Sequence, residues 1–229
     1  MSGPQMNPLE LTGRARTHVV DCADPPCTLH VHALQGLQAM RAAAALDGLD
    51  LWPLSSYRDF DRQVVIWNAK FRGERLLLDR QGCELDGQCL DPAARIDAIL
   101  WWSALPGASR HHWGTDLDVI DRAALLPQQR PQLVPAEFAP DGPFARLESW
   151  LVANLARFDF FRPYRLDRGG VSPEAWHLSY APLAVPALEQ VTLDVLGAAI
   201  EASSIEGRDQ VLQRLPELHA RYVRTIDAP

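Results

Sequence analysis

Apolar positions along this chain recur at two spacings, those of a helix and those of a strand, without a regular alternation between the two. Residues 33–48 read as a helix, with Leu34, Leu37, Met40 and Ala44 on one stripe and Gly48 as its stop. Residues 59–71 read the same way, with Phe60, Val64 and Trp67 or Phe71 on one side. Asp91-Pro92 supplies an N-cap followed by proline at the first helical position, and opens a helix predicted to run to about Leu105. Ile96, Ile99, Leu100 and Trp102 would face inward, and Pro106-Gly107 would end it. Phe144, Leu147, Leu151, Leu155 and Phe158 mark another helix.

Strand-like stretches are Thr28–His32, with His30 and His32 sharing a face, then Leu51–Ser55, Thr115–Ile120, Phe160–Tyr164 and Trp176–Tyr180. In Thr115–Ile120 the alternation sets Leu117 and Val119 on one face and Asp116 and Asp118 on the other. Beyond Pro186 the pattern is helical again. Leu188, Val191, Val195 and Ala199 form one stripe; Leu212, Leu215, His219 and Tyr222 form a second, which Pro216 should kink or split.

Short strands and separate helices without strand–helix alternation predict an α+β fold. The expected organisation is a poorly ordered lead-in over 1–27, a main domain over 28–185, and a helical extension over 186–229 packed on the same domain. Residues 72–90 are loop-rich, and 123–142, rich in Pro and Gln, read as a surface excursion. No internal repeat or low-complexity tract is visible.

Composition narrows the function classes. With 47% hydrophobic and 22% charged residues, the 229-residue chain is ordinary globular protein with enough length for a full core. A formal charge of −7 argues against a nucleic-acid partner, which calls for a basic face. No apolar run approaches a membrane span, and Met1–Arg16 has no apolar core of a signal peptide. The four cysteines form two local pairs, Cys22 with Cys27 and Cys83 with Cys89, each beside turn residues. Two small disulfides would imply an oxidising compartment. A second zinc site and free thiols are the alternatives.

The densest chemistry is Ser109-Arg-His-His-Trp-Gly-Thr-Asp-Leu-Asp118, together with Glu174-Ala-Trp-His177. Two His and one Asp suit Zn²⁺ with an open fourth position, and a spare Glu can take a proton from an activated water. His111 and Asp118 can reach one ion from one loop and one strand, with Gly114 permitting the backbone reversal between them. His112 competes with His111, but adjacent side chains diverge. Each residue also has a structural reading: Arg58 as a partner of Asp59 or Asp61, Glu174 on the surface, Trp176 in the core, Gln63 on a solvated helix face, Ser109 as a turn cap, the histidines bonded to carbonyls.

Ser109-x-His111-x-x-Gly114-x-x-x-Asp118 with Glu174-x-Trp176-His177 resembles the signature of the LAS-type zinc peptidases, the M15 family of D-alanyl-D-alanine carboxypeptidases and dipeptidases that includes the VanY-like enzymes. An upstream element, Ser55-x-Tyr57-Arg58 followed by Gln63, matches too, and the three occur in the family's order. The resemblance implies a small antiparallel sheet flanked by helices and one zinc per chain, held by His111, Asp118 and His177. It implies Glu174 as general base and Arg58 as the cation facing developing negative charge. Gln63, Ser109 and Trp176, with Ser55 and Tyr57, would contact substrate. Asp116 departs from the family, which usually has a small residue there. It could add a hydrogen bond behind the ligands or an acidic substrate contact, or it could crowd Asp118.

The expected activity is a zinc D,D-carboxypeptidase acting on peptidoglycan stem peptides ending in D-Ala. L,D-carboxypeptidase, D-Ala-D-Ala dipeptidase and endopeptidase of endolysin or toxin type are the alternatives, with a non-catalytic zinc-containing binding module outside the class. Substrate and paired cysteines favour the periplasm or exterior; the visible N-terminus favours the cytosol.

Overall fold

The computed structural model describes residues 5–229. The segment read as a lead-in is ordered from its first described turns, and Met1–Pro4 lie outside the described residues. Asn7 caps a short helix α1 (Pro8–Leu11), accepting from the backbone of Leu9 and Glu10, while Glu10 accepts from Asn7 N. A hairpin follows, β1 (Val20–Ala23) against β2 (Pro26–Leu29). The strand expected over Thr28–His32 stops at Leu29, because His30 turns to cap the next helix, α2 (Val31–Leu46). His30 Nδ1 accepts from His32 N at 3.2 Å, so these two histidines share no strand face.

Next come β3 (Leu51–Ser55) and α3 (Phe60–Phe71), whose N-cap Asp59 accepts from Arg62 N. A two-rung hairpin of β4 (Leu77–Leu78) and β5 (Glu84–Leu85) interrupts the loop-rich 72–90. Helix α4 (Pro92–Leu100) is capped by Asp91 as expected but ends five residues early. Its exit segment serves long-range partners: Trp101 O accepts from Ser172 N, and Ala104 O from Gln63 Nε2. The central strand β6 (Asp116–Asp121) is fully buried. Then follow α5 (Ala145–Asn154), β7 (Phe160–Phe161) and β8 (His177–Tyr180).

The helices after the sheet are α6 (Ala181–Gln190), α7 (Leu193–Glu201) and α8 (Arg208–Leu218), the last running into a π-helical turn, His219–Val223. The stripe predicted across 188–199 is thus two helices, broken where Thr192 caps α7. Pro186 sits inside α6 and Pro216 inside α8 without splitting either.

The main sheet has the order β3-β6-β8-β7, all antiparallel. One apolar cluster packs Leu117, Val119 and Leu178 of the sheet against Leu37 and Met40 of α2 and Leu147 and Leu151 of α5. A second joins Trp67, Ile99 and Trp113 to Leu196, Val211 and Leu218 of the C-terminal helices. Those helices therefore share a core with α3 and α4. Among the described residues no single helix is long and apolar enough to cross a membrane.

All four cysteines are free thiols, so neither local disulfide is formed. Cys22 and Cys27 stand opposite each other in the β1–β2 hairpin, but the Cys22 thiol donates to Asp24 O and the Cys89 thiol to Asp86 Oδ2.

Candidate active site

Strand register assembles the centre. In the β6–β8 pair Asp118 stands directly opposite His177, and Asp116 opposite Ser179. Side chains alternate along a strand, so these four project from one face while Leu117 and Leu178 fill the core behind. His111 arrives from a 3-10 turn, Arg110–Trp113, that ends in Gly114 at φ +64°. A Cβ on Gly114 would lie 2.3 Å from Val19 Cγ1 and 2.9 Å from His30 N, so both the left-handed turn and the close approach of the preceding chain require glycine. The N-terminal segment braces this turn: Trp113 Nε1 donates to Leu11 O, and His18 Nε2 to His112 O.

One ligand atom from each of His111, Asp118 and His177 lies within 4.8 Å of the others, and all three residues are buried. His177 Nδ1 is 3.3 Å from Asp118 Oδ1 and 3.2 Å from Glu174 Oε2. His111 Nε2 is 3.5 Å from Asp118 Oδ2. Two buried atoms here, His111 Nδ1 and Asp118 Oδ1, have no hydrogen-bond partner. Buried polar groups normally have partners, and a donor set of two imidazoles and a carboxylate with such an orphan oxygen fits a metal ion.

Burial holds His111 neutral, its pKa pushed down to about 3. Burial also raises Glu174 above the usual carboxylate range, against the pull of His177. For Asp118, burial favours the acid, yet His111, His177 and Arg58 outweigh it and lower the pKa. Burial disfavours an imidazolium at His177, but Asp116, Asp118 and Glu174 together raise its pKa well above the ordinary value.

Asp116 explains itself in this setting. Its Oδ1 accepts from Arg110 Nε at 2.7 Å and from His177 Nε2 at 3.0 Å; its Oδ2 accepts from Thr115 Oγ1 at 2.5 Å and Ser179 Oγ at 3.1 Å. It stands behind His177, neither crowding Asp118 nor lining the cavity. By accepting from Nε2 it fixes the ring so that Nδ1 faces Asp118 and Glu174 and is the nitrogen left for a metal ion.

Arg58 faces the same carboxylates, Asp118 and Glu174. It is held by Gln63 Oε1 at 2.9 Å and Ser55 Oγ at 3.3 Å. His112 is no ligand: Nδ1 donates to Arg58 O at 2.6 Å and Nε2 accepts from Gly107 N at 3.1 Å. Gln63, expected to touch substrate, is fully buried and braces Arg58, its Nε2 donating to Ala104 O. Ser55 likewise acts through Arg58. Tyr57 points elsewhere, its hydroxyl donating to Ala15 O at 3.2 Å. Ser109 makes no capping bond and lines the cavity. Trp176 does so too, while packing on Phe138 in the core.

That cavity has a volume of about 560 Å³ and lies between the loops 72–90 and 121–142. Lys70, Tyr164, Tyr222 and Val223 also line it, and nothing in the sequence assigned them to the site. Tyr222 and Val223 come from the C-terminal extension, which carries no motif that would announce them.

The sheet, its flanking helices and the buried cluster place the protein among the LAS-type peptidases. The family model "D-alanyl-D-alanine carboxypeptidase" (VanY) matches residues 27–183. The chain belongs to this VanY family. It is 43% identical over 104 residues to one uncharacterized protein of Haemophilus influenzae, a match covering 44% of this chain and 71% of that one. To a second it is 36% identical over 121 residues, covering 52% of this chain and 92% of the relative. Two solved structures share the fold. VanYB in complex with D-alanine-D-alanine has a TM-score of 0.52 at 22% identity, over 73% of this chain and 79% of that chain. A mutant of the vancomycin-resistance D,D-pentapeptidase VanY from the VanB-type cassette, in complex with Zn(II), has a TM-score of 0.52 at 21% identity, over 75% and 84%.

Proposed function

We propose that the protein is a zinc-dependent D,D-carboxypeptidase that removes the terminal D-Ala from peptidoglycan stem peptides. The observation that carries this reading is the convergence of His111, Asp118 and His177 on one point, with Glu174 Oε2 3.2 Å from His177 Nδ1 and Arg58 facing the same carboxylates. Family membership and a solved relative holding Zn(II) support it.

His111 through Nε2 or Nδ1, Asp118 through a carboxylate oxygen and His177 through Nδ1 would hold the ion. A bound zinc supplies Lewis-acid polarisation of the scissile carbonyl and of the attacking water. Glu174, its carboxyl raised by burial, takes the water's proton and returns it to the leaving amine. Arg58 presents a permanently charged planar fork to the negative charge that develops on the carbonyl oxygen. Gln63 and the backbone bond from His112 keep that fork in place.

Zinc stoichiometry and mass spectrometry of a muramyl pentapeptide digest test the reading. One zinc per chain and loss of a single D-Ala are expected. Loss of D-Ala from the tetrapeptide, of the D-Ala-D-Ala dipeptide, or of a cross-link would reassign the bond. A folded protein that takes up no zinc would end the proposal.

A further inference from the structure

Of the chain's 22 lysine and arginine residues, one is a lysine, and that residue, Lys70, lines the active-site cavity. The same cavity is lined by Arg58, Leu78 and Trp102. Among the described residues no side chain forms a hydrogen bond or an ion pair with its ammonium; Glu174, Arg75 and Arg58 act on it only across space. Lys70 is half-buried in the wall and its ammonium carries no counter-charge, so the site can accept one anion there.

Lys70 lies seven residues beyond Gln63 on α3. Seven residues are two helical turns, which keeps both on one face and sets them about 10 Å apart along the axis. Gln63 holds Arg58 at the metal-ligand cluster. Arg58 and Lys70 therefore address different points along an extended peptide, whose residues advance about 3.3 Å each. The two cations also differ in kind. A guanidinium is a fixed fork, whereas an ammonium on a flexible stem offers three rotatable donors to a carboxylate arriving at a variable angle.

We propose that Lys70 is the carboxylate-recognition residue of this cavity, pairing with a carboxylate of the bound peptide and selecting that peptide over its amidated counterpart. The inference rests on reading the site as a peptidase. The carboxylate is either the peptide's C-terminus or an acidic side chain, and the same chemistry serves both.

Three peptides separate the sources: one with both carboxylates free, one amidated at the C-terminus, one amidated at the side chain. For the parent, one of the two amidations is expected to raise KM by about tenfold or more, the effect of losing one partner of a desolvated charge pair. In Lys70→Gln the free peptide takes on that higher KM, and the acid-over-amide preference collapses to within about twofold. Lys70→Arg, which restores the cation, recovers part of the preference; thermal unfolding of both variants monitors the fold.

A pH series adds a readout that a merely structural residue would not move. Burial lowers the Lys70 pKa to about 8, with Arg75 and Arg58 lowering it further and Glu174 opposing them. The parent's preference should therefore shrink between about pH 7 and pH 9.5 as the ammonium loses its proton, while Lys70→Arg keeps its own. A parent indifferent to both amidations overturns the inference, as does an unchanged preference in Lys70→Gln. Binding of the same peptides to the zinc-loaded protein, followed by calorimetry, separates the two readings. Lys70-dependent preference without hydrolysis would overturn the peptidase reading alone. Hydrolysis without that preference would overturn this inference alone.

Discussion

Replacing Asp116 by alanine removes one carboxylate and strands four donors. Arg110 loses its counter-charge while fully buried, and its Nη1 already lacks a partner. Among the described residues Arg110 has no other ion pair, and its remaining bond is from Nη2 to Ser179 Oγ at 2.6 Å. Breaking a buried pair by removing one partner costs about 3–5 kcal/mol. The orphaned Nε2–H of His177 and the Thr115 hydroxyl add about 1 kcal/mol each where they find no water. Against a typical stability of about 5–15 kcal/mol, that is a large share. A second effect is distinct from the first. Without Asp116 the Nε2 proton of His177 has no fixed acceptor, so the ring can rotate or change tautomer. Loss of such a partner behind a ligand typically weakens metal affinity by about 10–100-fold.

Urea unfolding of the metal-free protein reads the stability term, and chelator competition reads zinc affinity. Asp116→Asn divides them, since its carbonyl can still accept from His177 while the charge opposite Arg110 is gone. It should lose stability and retain more zinc affinity than Asp116→Ala. If Asp116→Ala unfolds within about 1 kcal/mol of the parent and binds zinc equally well, the role assigned to Asp116 is wrong.

Glu174→Gln should keep zinc and lower kcat by about 10²–10⁴-fold, and unchanged turnover would remove Glu174 from the reaction. Gly114→Ala meets left-handed strain of about 1–3 kcal/mol besides the overlap with Val19 and His30, so its urea midpoint should fall sharply and its zinc affinity with it. Gln63→Ala frees the Arg58 fork; kcat should drop about tenfold to a hundredfold at full zinc occupancy, measured by metal analysis of the assayed sample. Dialysis against a chelator should abolish hydrolysis, and stoichiometric zinc should restore it, with residual turnover in metal-free protein counting against the metal-dependent reading.

Much of the site was legible because its signals are local or chemically rare. The spacing of His111, Gly114 and Asp118, and of Glu174 and His177, named the converging residues. The caps at Asp59 and Asp91 and the alternation in β6 are written within a few residues, and the structure keeps them. What failed depended on partners far along the chain. Tyr57 sits beside Arg58 in sequence, but its hydroxyl bonds to Ala15 instead of facing the cavity. Gln63 was assigned to substrate, yet a carbonyl forty-one residues away claims its amide. The helix expected to reach Leu105 stops at Leu100, where backbone groups leave the ladder for Ser172 and Gln63.

The sequence by itself determined the elements with strong local codes, the α+β class, and the donor types available to a metal. The tertiary structure decided how they act together. The antiparallel register of β6 and β8 sets Asp118 against His177, and a slip of one residue would turn both aspartates into the core. The same pairing put Asp116 behind His177 rather than in front of it. Packing of α3 and the C-terminal helices on one core brought Lys70, Tyr222 and Val223 to the cavity wall. Caps and periodicity are satisfied by near neighbours and can be read along the chain, whereas register and burial depend on surfaces that meet only when the chain has folded.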